Sequence, residues 1–444
     1  MAIRAGCALL LALLLGGVAP SQSFSDFIIR VNIAPDVQRN ALVDSFLNAH
    51  DTWPLAEQDT LLHFVFRGPA TDVSLAGDMN QWTPAGSPLQ RLSTTTLWYR
   101  TESYETDARL DYKFVVDGNW LLDPKNPRTC SGGFGPNSEL RMPGYPEQPE
   151  LLRDPAVPRG SLLDTTLAGA GIASRVLRVY IPAGYDTLGA ACPLVLVHDG
   201  LDYLALGGMD IILDNLIAQH RIPPVIAVFV PAVDRASEYA GAKMPSYGAW
   251  IVNTVLQWAD ARFRTRRDAA GRAVVGCSDG GNISLYLGFT YPEQIGNVAA
   301  QSSNVVASIA AAANDGPKLA LRLSLDLGTY DIPVLVPRVE QLVASLQAKG
   351  YDFRFRRVHE GHSWGNWRAH IDEALIYFFG IAASKHGAAQ PSSHRAVARR
   401  GTHIGDISHG PERNATRHRR FPRSAAHCAG RGFTRQEAFQ QARA

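Results

Sequence analysis

Residues 276–280 (GCSDG) have the residue types and spacing of a serine nucleophile. In the pattern G-x-S-x-G the serine stands on a tight turn between a strand and a helix. The preceding run RAVV is typical of a strand, and residues 281–291 (GNISLYLGFTY) predict a helix that Pro292 ends. A negative charge that develops at the start of a helix is stabilised, so Ser278 is the predicted nucleophile. The alternative is a loop of Gly and Ser without chemistry.

A serine of ordinary pKa needs a base, and His362 is the predicted one. It lies in the loop EGHSWGNWR, residues 360–368, between a predicted strand over residues 353–358 and the last predicted helix. His359 is the alternative, but it still belongs to the end of that strand, whereas His362 lies in the Gly-containing loop. His198, near the end of another predicted strand, is interpreted as structural.

An acid that orients the base is expected between the serine and the histidine in sequence. Residues 323–331 (LSLDLGTYD) predict a strand that runs into a loop, and Asp331 lies at the exit of the strand. Asp326 lies in the middle of the strand and Glu340 begins a helix, so both fit this role less well.

Two backbone N–H groups are needed to stabilise the oxyanion that forms during attack on an ester. One is predicted to come from Asp279, the residue after the nucleophile. The other is predicted in the loop after the strand PLVLV, at Gly200 or Leu201. Asp199 in the same loop is interpreted as a turn residue rather than as an acid or base.

The elements that must position these residues alternate along residues 161–383. Apolar runs typical of buried strands, such as RVLRVYIP, PLVLVHDG and VIAVFVP, alternate with stretches of helical periodicity. This alternation predicts an α/β domain with a mostly parallel sheet that helices cover on both faces. A chain of 444 residues is too long for one ordinary core, so further domains are expected.

Two segments are predicted at the N-terminus. Residues 1–23 have the features of a secretory signal peptide, because Arg4 precedes a short apolar run and small residues follow it. The run is shorter than the roughly 20 apolar residues of a membrane-spanning helix, so a periplasmic or secreted location is expected, and an uncleaved anchor is the alternative. Residues 24–60 form a predicted helical segment with one amphipathic helix over about 35–47.

Residues 61–145 predict a small all-β sandwich of the immunoglobulin type. Short β-like runs such as LLHFVF, LWYR and YKFVV are broken by turn residues, and Asp117-Gly118 is a strong hairpin signal. The proline-rich residues 146–160 are interpreted as a linker to the α/β domain.

The sandwich segment resembles the carbohydrate-binding early-set domains that precede glycogen-branching enzymes. The resemblance rests on GDMNQW at residues 77–82 and on YKFVVDGNW at residues 112–120. It implies that Trp82, Lys113 and Trp120 lie on a glycan-facing surface, where aromatic rings stack on the C–H groups of sugars. The alternative is that these tryptophans pack the sandwich or the domain interface.

The segment that contains Ser278 resembles the enterochelin esterase and esterase D family, which includes siderophore, feruloyl and acetyl xylan esterases. The resemblance rests on the GCSDG motif, on YPE and QSS downstream of it, and on GHSWGNWR at residues 361–368. It implies an α/β-hydrolase fold and a carboxylic ester substrate. Asp331 matches the acid of the family, although a Ser–His pair suffices in some members. Ser363 stands where the family usually has aspartate.

The GHSWGNWR motif also contains the predicted substrate-binding residues Trp364, Trp367 and Arg368. For Trp367 in particular, packing of the last helix onto the sheet is the alternative.

Charge and composition argue against several other classes. Residues 384–444 contain twelve Lys or Arg against three Asp or Glu, which leaves residues 1–383 with a net charge of −7. No nucleic-acid surface is therefore expected on the main body. The basic tail has little apolar periodicity and is predicted to be disordered. Because the sequence contains no phosphate loop and no metal-ligand spacing, neither a cofactor nor a metal is expected.

These features predict an exported serine esterase that hydrolyses a carboxylic ester by a Ser-His-Asp mechanism. A sandwich that resembles glycan binders favours an acyl group linked to carbohydrate, such as acetyl or feruloyl, on a small molecule or a polysaccharide. A siderophore ester is the first alternative, and a glycan-binding protein without activity is the second. Acyl transfer to an acceptor would use the same residues. No oligomeric state and no membrane contact beyond the export signal are predicted.

Overall fold

The computed structural model describes residues 22–381. The predicted disordered tail, residues 384–444, lies outside the described residues. The predicted signal peptide, residues 1–23, also lies outside them except for its last two positions. Between residues 22 and 381, none of the helices is long and apolar enough to cross a membrane.

The described chain opens with α1 (Phe24–Ile33) and α2 (Asp36–Asn48), where a single helix was expected. Ser23 caps α1 by accepting a hydrogen bond from the Asp26 amide at 3.1 Å. Pro35, which has no N–H, stands between the two helices and starts the second one. Their aromatic side chains pack together and against the outer face of the first sheet of the sandwich.

A two-layered β-sandwich follows, and its first strand begins at Leu55, ahead of the predicted boundary at residue 61. Its strands are β1 (Leu55–Glu57), β2 (Leu61–Arg67), β3 (Val73–Gly77), β4 (Gln90–Arg91), β5 (Leu97–Ser103), β6 (Arg109–Val116), β7 (Asn119–Leu121), β8 (Thr129–Cys130) and β9 (Asn137–Arg141). One layer has the order β1-β2-β5-β4, and the other is built around β6, which pairs with β3, β7 and β9. Phe64, Leu75 and Tyr112 belong to the apolar core between the layers.

The second half of the chain forms the predicted α/β layer structure. Its strands are β10 (Ser161–Gly169), β11 (Ile172–Ile181), β12 (Leu194–His198), β13 (Ile226–Val230), β14 (Arg272–Cys277), β15 (Asn297–Gln301), β16 (Arg322–Tyr330) and β17 (Asp352–Gly361). They lie in the order β10-β11-β13-β12-β14-β15-β16-β17. Neighbours from β13 to β17 are parallel, and the β10–β11 hairpin adds an antiparallel edge.

Helices cover both faces of this sheet, which confirms the predicted fold class. They are α3 (Gly200–Ala205), α4 (Met209–Ala218), α5 (Arg235–Tyr239), α6 (Met244–Trp250), α7 (Gln257–Arg262), α8 (Asp279–Thr290), α9 (Ala307–Asp315), α10 (Leu335–Ala348) and α11 (Trp364–Phe379). A π-helical stretch, Ile251–Leu256, joins α6 to α7. One core cluster packs α6 to α10 on one face of the sheet, and a second packs α4 and α11 on the other.

The sandwich and the α/β layers share one continuous sheet. Strand β17 pairs in parallel with β6 of the sandwich, at Glu360 and Arg109. The predicted linker is attached to the α/β layers, because the Asn215 side chain donates to the carbonyls of Glu150 and Leu152 at 2.8 and 2.9 Å. The sandwich is thereby held directly beside the end of β17, where the predicted histidine loop begins.

Candidate active site

Ser278 occupies the tight strand-to-helix turn that the sequence predicts. It follows β14 and precedes α8, and its backbone has φ 55° and ψ −122°. Its amide donates to the carbonyl of Gln301 on the neighbouring strand at 2.8 Å. A Cβ atom at Gly276 would lie 2.1 Å from the carbonyl oxygen of Gly280, so the first position of the motif has room only for glycine. The turn therefore needs both the strained serine and a glycine before it.

His362 and Asp331 form a direct hydrogen bond at the same edge of the sheet. His362 Nδ1 lies 2.7 Å from Asp331 Oδ1, and both side chains are buried. Burial alone would raise the pKa of Asp331, but the facing His362 more than offsets this, so the pKa of the carboxyl lies below its usual value. The indole of Trp367 stands edge-on to the imidazole, with ring centroids 4.9 Å apart. These contacts fix the tautomer and the plane of the ring.

The topology explains how three residues distant in sequence come to one place. Ser278 follows β14, Asp331 follows β16 and His362 follows β17, and these strands run parallel with β15 between the first two. Parallel strands end at the same edge of a sheet, which is where α/β proteins build their sites. The predicted nucleophile, acid and base therefore lie along one edge, and their catalytic roles remain a prediction.

The weaker candidates have other partners in the structure. His359, the alternative base, pairs with Asp107 of the sandwich at 2.6 Å. His198 is fully buried beside the Tyr247 hydroxyl, and burial lowers its pKa to about 3, so it is a neutral structural residue. Asp326, the alternative acid, accepts hydrogen bonds from the Gln301 side chain at 2.8 Å and from the Ser302 amide at 3.2 Å.

The two segments predicted to bind the oxyanion begin two helices at this edge. Asp279 is the first residue of α8, and Gly200 is the first residue of α3. Asp199 adopts a left-handed conformation with φ 52° and turns the chain from β12 into α3. Gly200 is buried against the backbone of β13, whereas Leu201 is 38% exposed. The first N–H groups of a helix have no partner within the helix, so those of α3 and α8 suit the predicted oxyanion role.

Arg235 joins these two segments and was not predicted. Its guanidinium makes two hydrogen bonds of 2.9 Å to Asp199 and one of 3.1 Å to Asp279. The Asn304 side chain donates to the other oxygen of Asp279 at 2.8 Å. A bidentate guanidinium–carboxylate contact fixes both distance and direction. No local pattern around Arg235 indicates this role, because its partners lie far away in sequence.

The predicted substrate-binding residues on α11 are mostly covered. Trp364 and Trp367 are buried, and Trp364 stands edge-on to Tyr203 with centroids 5.1 Å apart. Arg368 reaches the sandwich and donates to Glu139 at 3.3 Å. The contacts of Trp367 are those of a packing residue, which was the alternative interpretation. Substrate contact by the three residues remains a prediction.

The predicted glycan-facing residues lie on the outer face of the second sandwich layer. Trp82 and Trp120 are stacked with centroids 6.4 Å apart at an interplanar angle of 22°. Trp82 is buried and its indole donates to Asp78 at 3.0 Å, whereas Trp120 is 43% exposed. Lys113 lies on β6, next but one to Val115, which faces Trp120 on β7. The loop that carries Trp82 also contacts the Asp331 loop, so the predicted glycan face borders the candidate site.

Within residues 22–381, no group of three or more His, Cys, Asp or Glu side chains is arranged to hold a metal ion. The cysteines of this region, Cys130, Cys192 and Cys277, are buried and unbridged.

Comparisons with known proteins indicate an esterase. Residues 173–378 match the family described as "Putative esterase". An uncharacterised protein of Bacillus subtilis (strain 168), YjcH, is 27% identical over 214 residues, which cover 45% of this chain and 89% of that protein. The enterobactin esterase of Shigella flexneri has a TM-score of 0.63 at 22% identity and covers 76% of this chain and 97% of its own.

The ferric enterobactin esterase of Salmonella typhimurium has a TM-score of 0.65 at 20% identity and also covers 76% of this chain, with 98% of its own. These likenesses describe the fold of both the sandwich and the α/β layers. The family match adds ester hydrolysis as the supported chemistry. The chain has the α/β-hydrolase fold, and the match of residues 173–378 to the Esterase family supports a carboxylic ester hydrolase.

Proposed function

We propose that Ser278 is the nucleophile, His362 the base and Asp331 the acid of a serine esterase. The observation that supports this most is the placement of a strained serine turn along one sheet edge with a hydrogen-bonded His–Asp pair. Asp331 accepts from His362 Nδ1 and so leaves Nε2 to take up a proton. The carboxylate also stabilises the imidazolium that forms.

The reaction follows from these roles. The Ser278 hydroxyl loses its proton to His362 as its oxygen bonds to the acyl carbon of the ester. The oxyanion is held by N–H groups at the starts of α8 and α3. His362 then donates the proton to the departing alcohol, which leaves an acyl-enzyme. Water attacks this intermediate by the same proton transfers and releases the acid.

The proposed substrate carries its acyl group on a carbohydrate, as an acetyl or feruloyl ester. The exposed ring of Trp120, which stacks on the buried Trp82, and the nearby Lys113 support this, because they lie on the sandwich face that borders the site. Aromatic faces and an adjacent cation suit a sugar ring with its hydroxyl groups. A siderophore ester is the second candidate, favoured by a fold shared with enterobactin esterases over both layers. We also propose export to the periplasm or beyond, which cell fractionation tests.

Turnover of p-nitrophenyl acetate and labelling by a fluorophosphonate test the nucleophile. We expect Ser278→Ala to lose labelling and to lower kcat by about a thousandfold or more. Ser246→Ala is the matched control, because Ser246 is exposed on α6 and lies outside the strand-to-helix turn that contains Ser278. If the folded wild-type protein neither turns over the ester nor takes the label, the catalytic proposal is wrong. Saturable glycan binding without ester turnover would then favour the alternative of a glycan-binding protein without activity.

The acyl substrate is tested with acetylated xylan, feruloylated arabinose and a catechol siderophore ester at equal concentrations. A carbohydrate ester is expected to have the highest kcat/KM, and Trp120→Ala is expected to raise its KM. A higher kcat/KM for the siderophore ester would favour the second candidate. Product that depends on the concentration of an added alcohol would indicate acyl transfer.

A further inference from the structure

The two residues that flank His362 both contact the β-sandwich. A Cβ atom at Gly361 would lie 2.1 Å from Asp78 Cγ, so the histidine loop is packed directly on that carboxyl group. On the other side, Arg109 donates to Ser363 Oγ at 3.0 Å. The candidate base is thus held between two contacts with a different layer of the protein.

The sandwich residues that make these contacts are themselves fixed. Asp78 accepts from the backbone of Asp111 at 2.8 Å and from the indole of Trp82 at 3.0 Å, so both of its oxygens are engaged. The Arg109 guanidinium pairs with Asp111 at 2.6 Å and with Glu139 at 2.7 Å. All three charged groups of this cluster are almost completely buried, which makes their geometry hard to change.

Arg109 also packs on the start of α11. A Cβ atom at Gly365 would lie 1.9 Å from Arg109 Cζ, so the guanidinium fills the space that a side chain there would need. Ser363, which accepts from Arg109, is the N-cap residue of α11. One buried side chain of the sandwich therefore locates both the residue after His362 and the first turn of the helix that follows.

The sandwich contacts the acid loop as well. The Gln81 side chain lies 3.3 Å from the carbonyls of Tyr330 and Asp331. The Tyr330 hydroxyl donates to Glu105 at 2.7 Å. Both members of the His–Asp pair are therefore supported by loops of the sandwich.

We propose that the β-sandwich positions the catalytic imidazole and that Arg109, acting through Ser363, is its principal positioning residue. This inference rests on the proposed role of His362. A displacement of the base of about 1 Å is enough to cost a large part of the rate. The sandwich is therefore a structural part of the catalytic centre in addition to any part it has in binding substrate.

The test compares Ser363→Ala and Arg109→Met with Arg141→Met in the full chain. Arg141 also pairs with Glu139 but is not among the residues that bond to Ser363. We expect the first two variants to lower kcat on p-nitrophenyl acetate by about tenfold or more, with KM changed less than twofold. The acidic limb of their kcat/KM profile should move, since it reports the base in the free enzyme. Arg141→Met should retain the wild-type kcat and profile.

Ser363→Ala leaves Arg109 paired with Asp111 and Glu139, so this variant still tests the positioning role if Arg109→Met does not fold. Ser363→Asp restores an acceptor for Arg109 and is expected to keep kcat near that of wild type. A wild-type kcat and pH profile for Ser363→Ala would overturn the inference, as would an equal loss in Arg141→Met. Failure of the proposed function is recognised separately, because Ser278→Ala would then retain the activity of the wild-type chain.

Discussion

At the scale of single residues, Ser278 combines a strained backbone with a buried position at the end of β14. A φ of 55° with a ψ of −122° costs roughly 1–3 kcal/mol for a residue that carries a Cβ atom. Its neighbours maintain this conformation, through the hydrogen bond of its amide to Gln301 and the close contact of Gly276 with Gly280. Such strain persists where function requires it, so the conformation supports the nucleophile more strongly than the pentapeptide alone.

Asp326, beneath the site, is expected to make the stability of the protein depend on pH. Burial raises its pKa to about 6 from the usual 3.8. The folded state therefore keeps this proton over a range in which the unfolded state has lost it. The contribution of Asp326 to the free energy of unfolding falls as the pH rises from about 4 to about 7, by about 2 kcal/mol.

The variant Asp326→Asn removes this titration and keeps an oxygen that can accept from the Ser302 amide. Urea unfolding gives the loss in the free energy of unfolding of the variant relative to wild type. This loss should be about 2 kcal/mol smaller near pH 7 than near pH 4. The same substitution at Asp51, which is exposed, should show no such difference. An equal effect of Asp326→Asn at the two pH values would contradict the assigned titration.

The residues predictable from the sequence are those whose signal is local. Ser278 stands in a motif and His362 in a Gly-containing loop, and Asp331 was expected at the exit of the strand where it lies. Arg235 and Arg109 were not predicted, because each acts through partners more than thirty residues away. Nothing in the residues around them distinguishes a buried bridging arginine from a solvated one.

At the scale of elements, the starts of α3 and α8 must keep a fixed separation if their N–H groups are to bind one oxygen atom. Arg235 connects them, because it pairs with the residue before α3 and with the first residue of α8. We expect Arg235→Gln to lower kcat on p-nitrophenyl acetate by about tenfold, with a smaller change in KM. Arg235→Lys should have a kcat between those of Arg235→Gln and the wild type.

Arg178→Gln is the matched control for this prediction. Arg178 makes a bidentate pair with Asp164 on the exposed β10–β11 hairpin, away from the helix starts. Its loss should leave kcat unchanged, since exposed ion pairs contribute little. A loss in Arg235→Gln that appears in KM alone would instead indicate that the guanidinium binds substrate.

The elements themselves were predicted where periodicity was strong. The alternation of strands and helices after residue 161 and the small sandwich were both found. The helix α1 was missed because its apolar residues directly follow a signal-like segment, and a single helix was read from the pattern after Pro35. The strand Leu55–Glu57 is too short to show an alternating pattern, which explains the late boundary.

At the scale of the whole molecule, the sandwich and the α/β layers are joined more closely than separate domains would require. They share a sheet through β17 and β6, and the buried Arg109 cluster lies at the junction. This junction was beyond prediction, since it depends on a pairing between Glu360 and a residue of the N-terminal half. Separating the layers would expose this buried cluster and break the hydrogen bonds of Arg109 to Ser363 and of Arg368 to Glu139, so we expect them to unfold together.

The test of joint unfolding is the variant Phe64→Ala in the core of the sandwich, where Phe64 is completely buried. Loss of a buried phenylalanine costs about 3–5 kcal/mol, and the hydrolase layers should share that cost. Calorimetry should give one transition at a lower Tm, and esterase activity should be lost at that same temperature. Val37→Ala, on an exposed position of α2, should leave the Tm unchanged. The contrary result would be two transitions, with activity lost in the one whose temperature Phe64→Ala does not change. The α/β layers would then unfold independently of the sandwich, and the sandwich would contact the His362 loop without contributing to the stability of those layers.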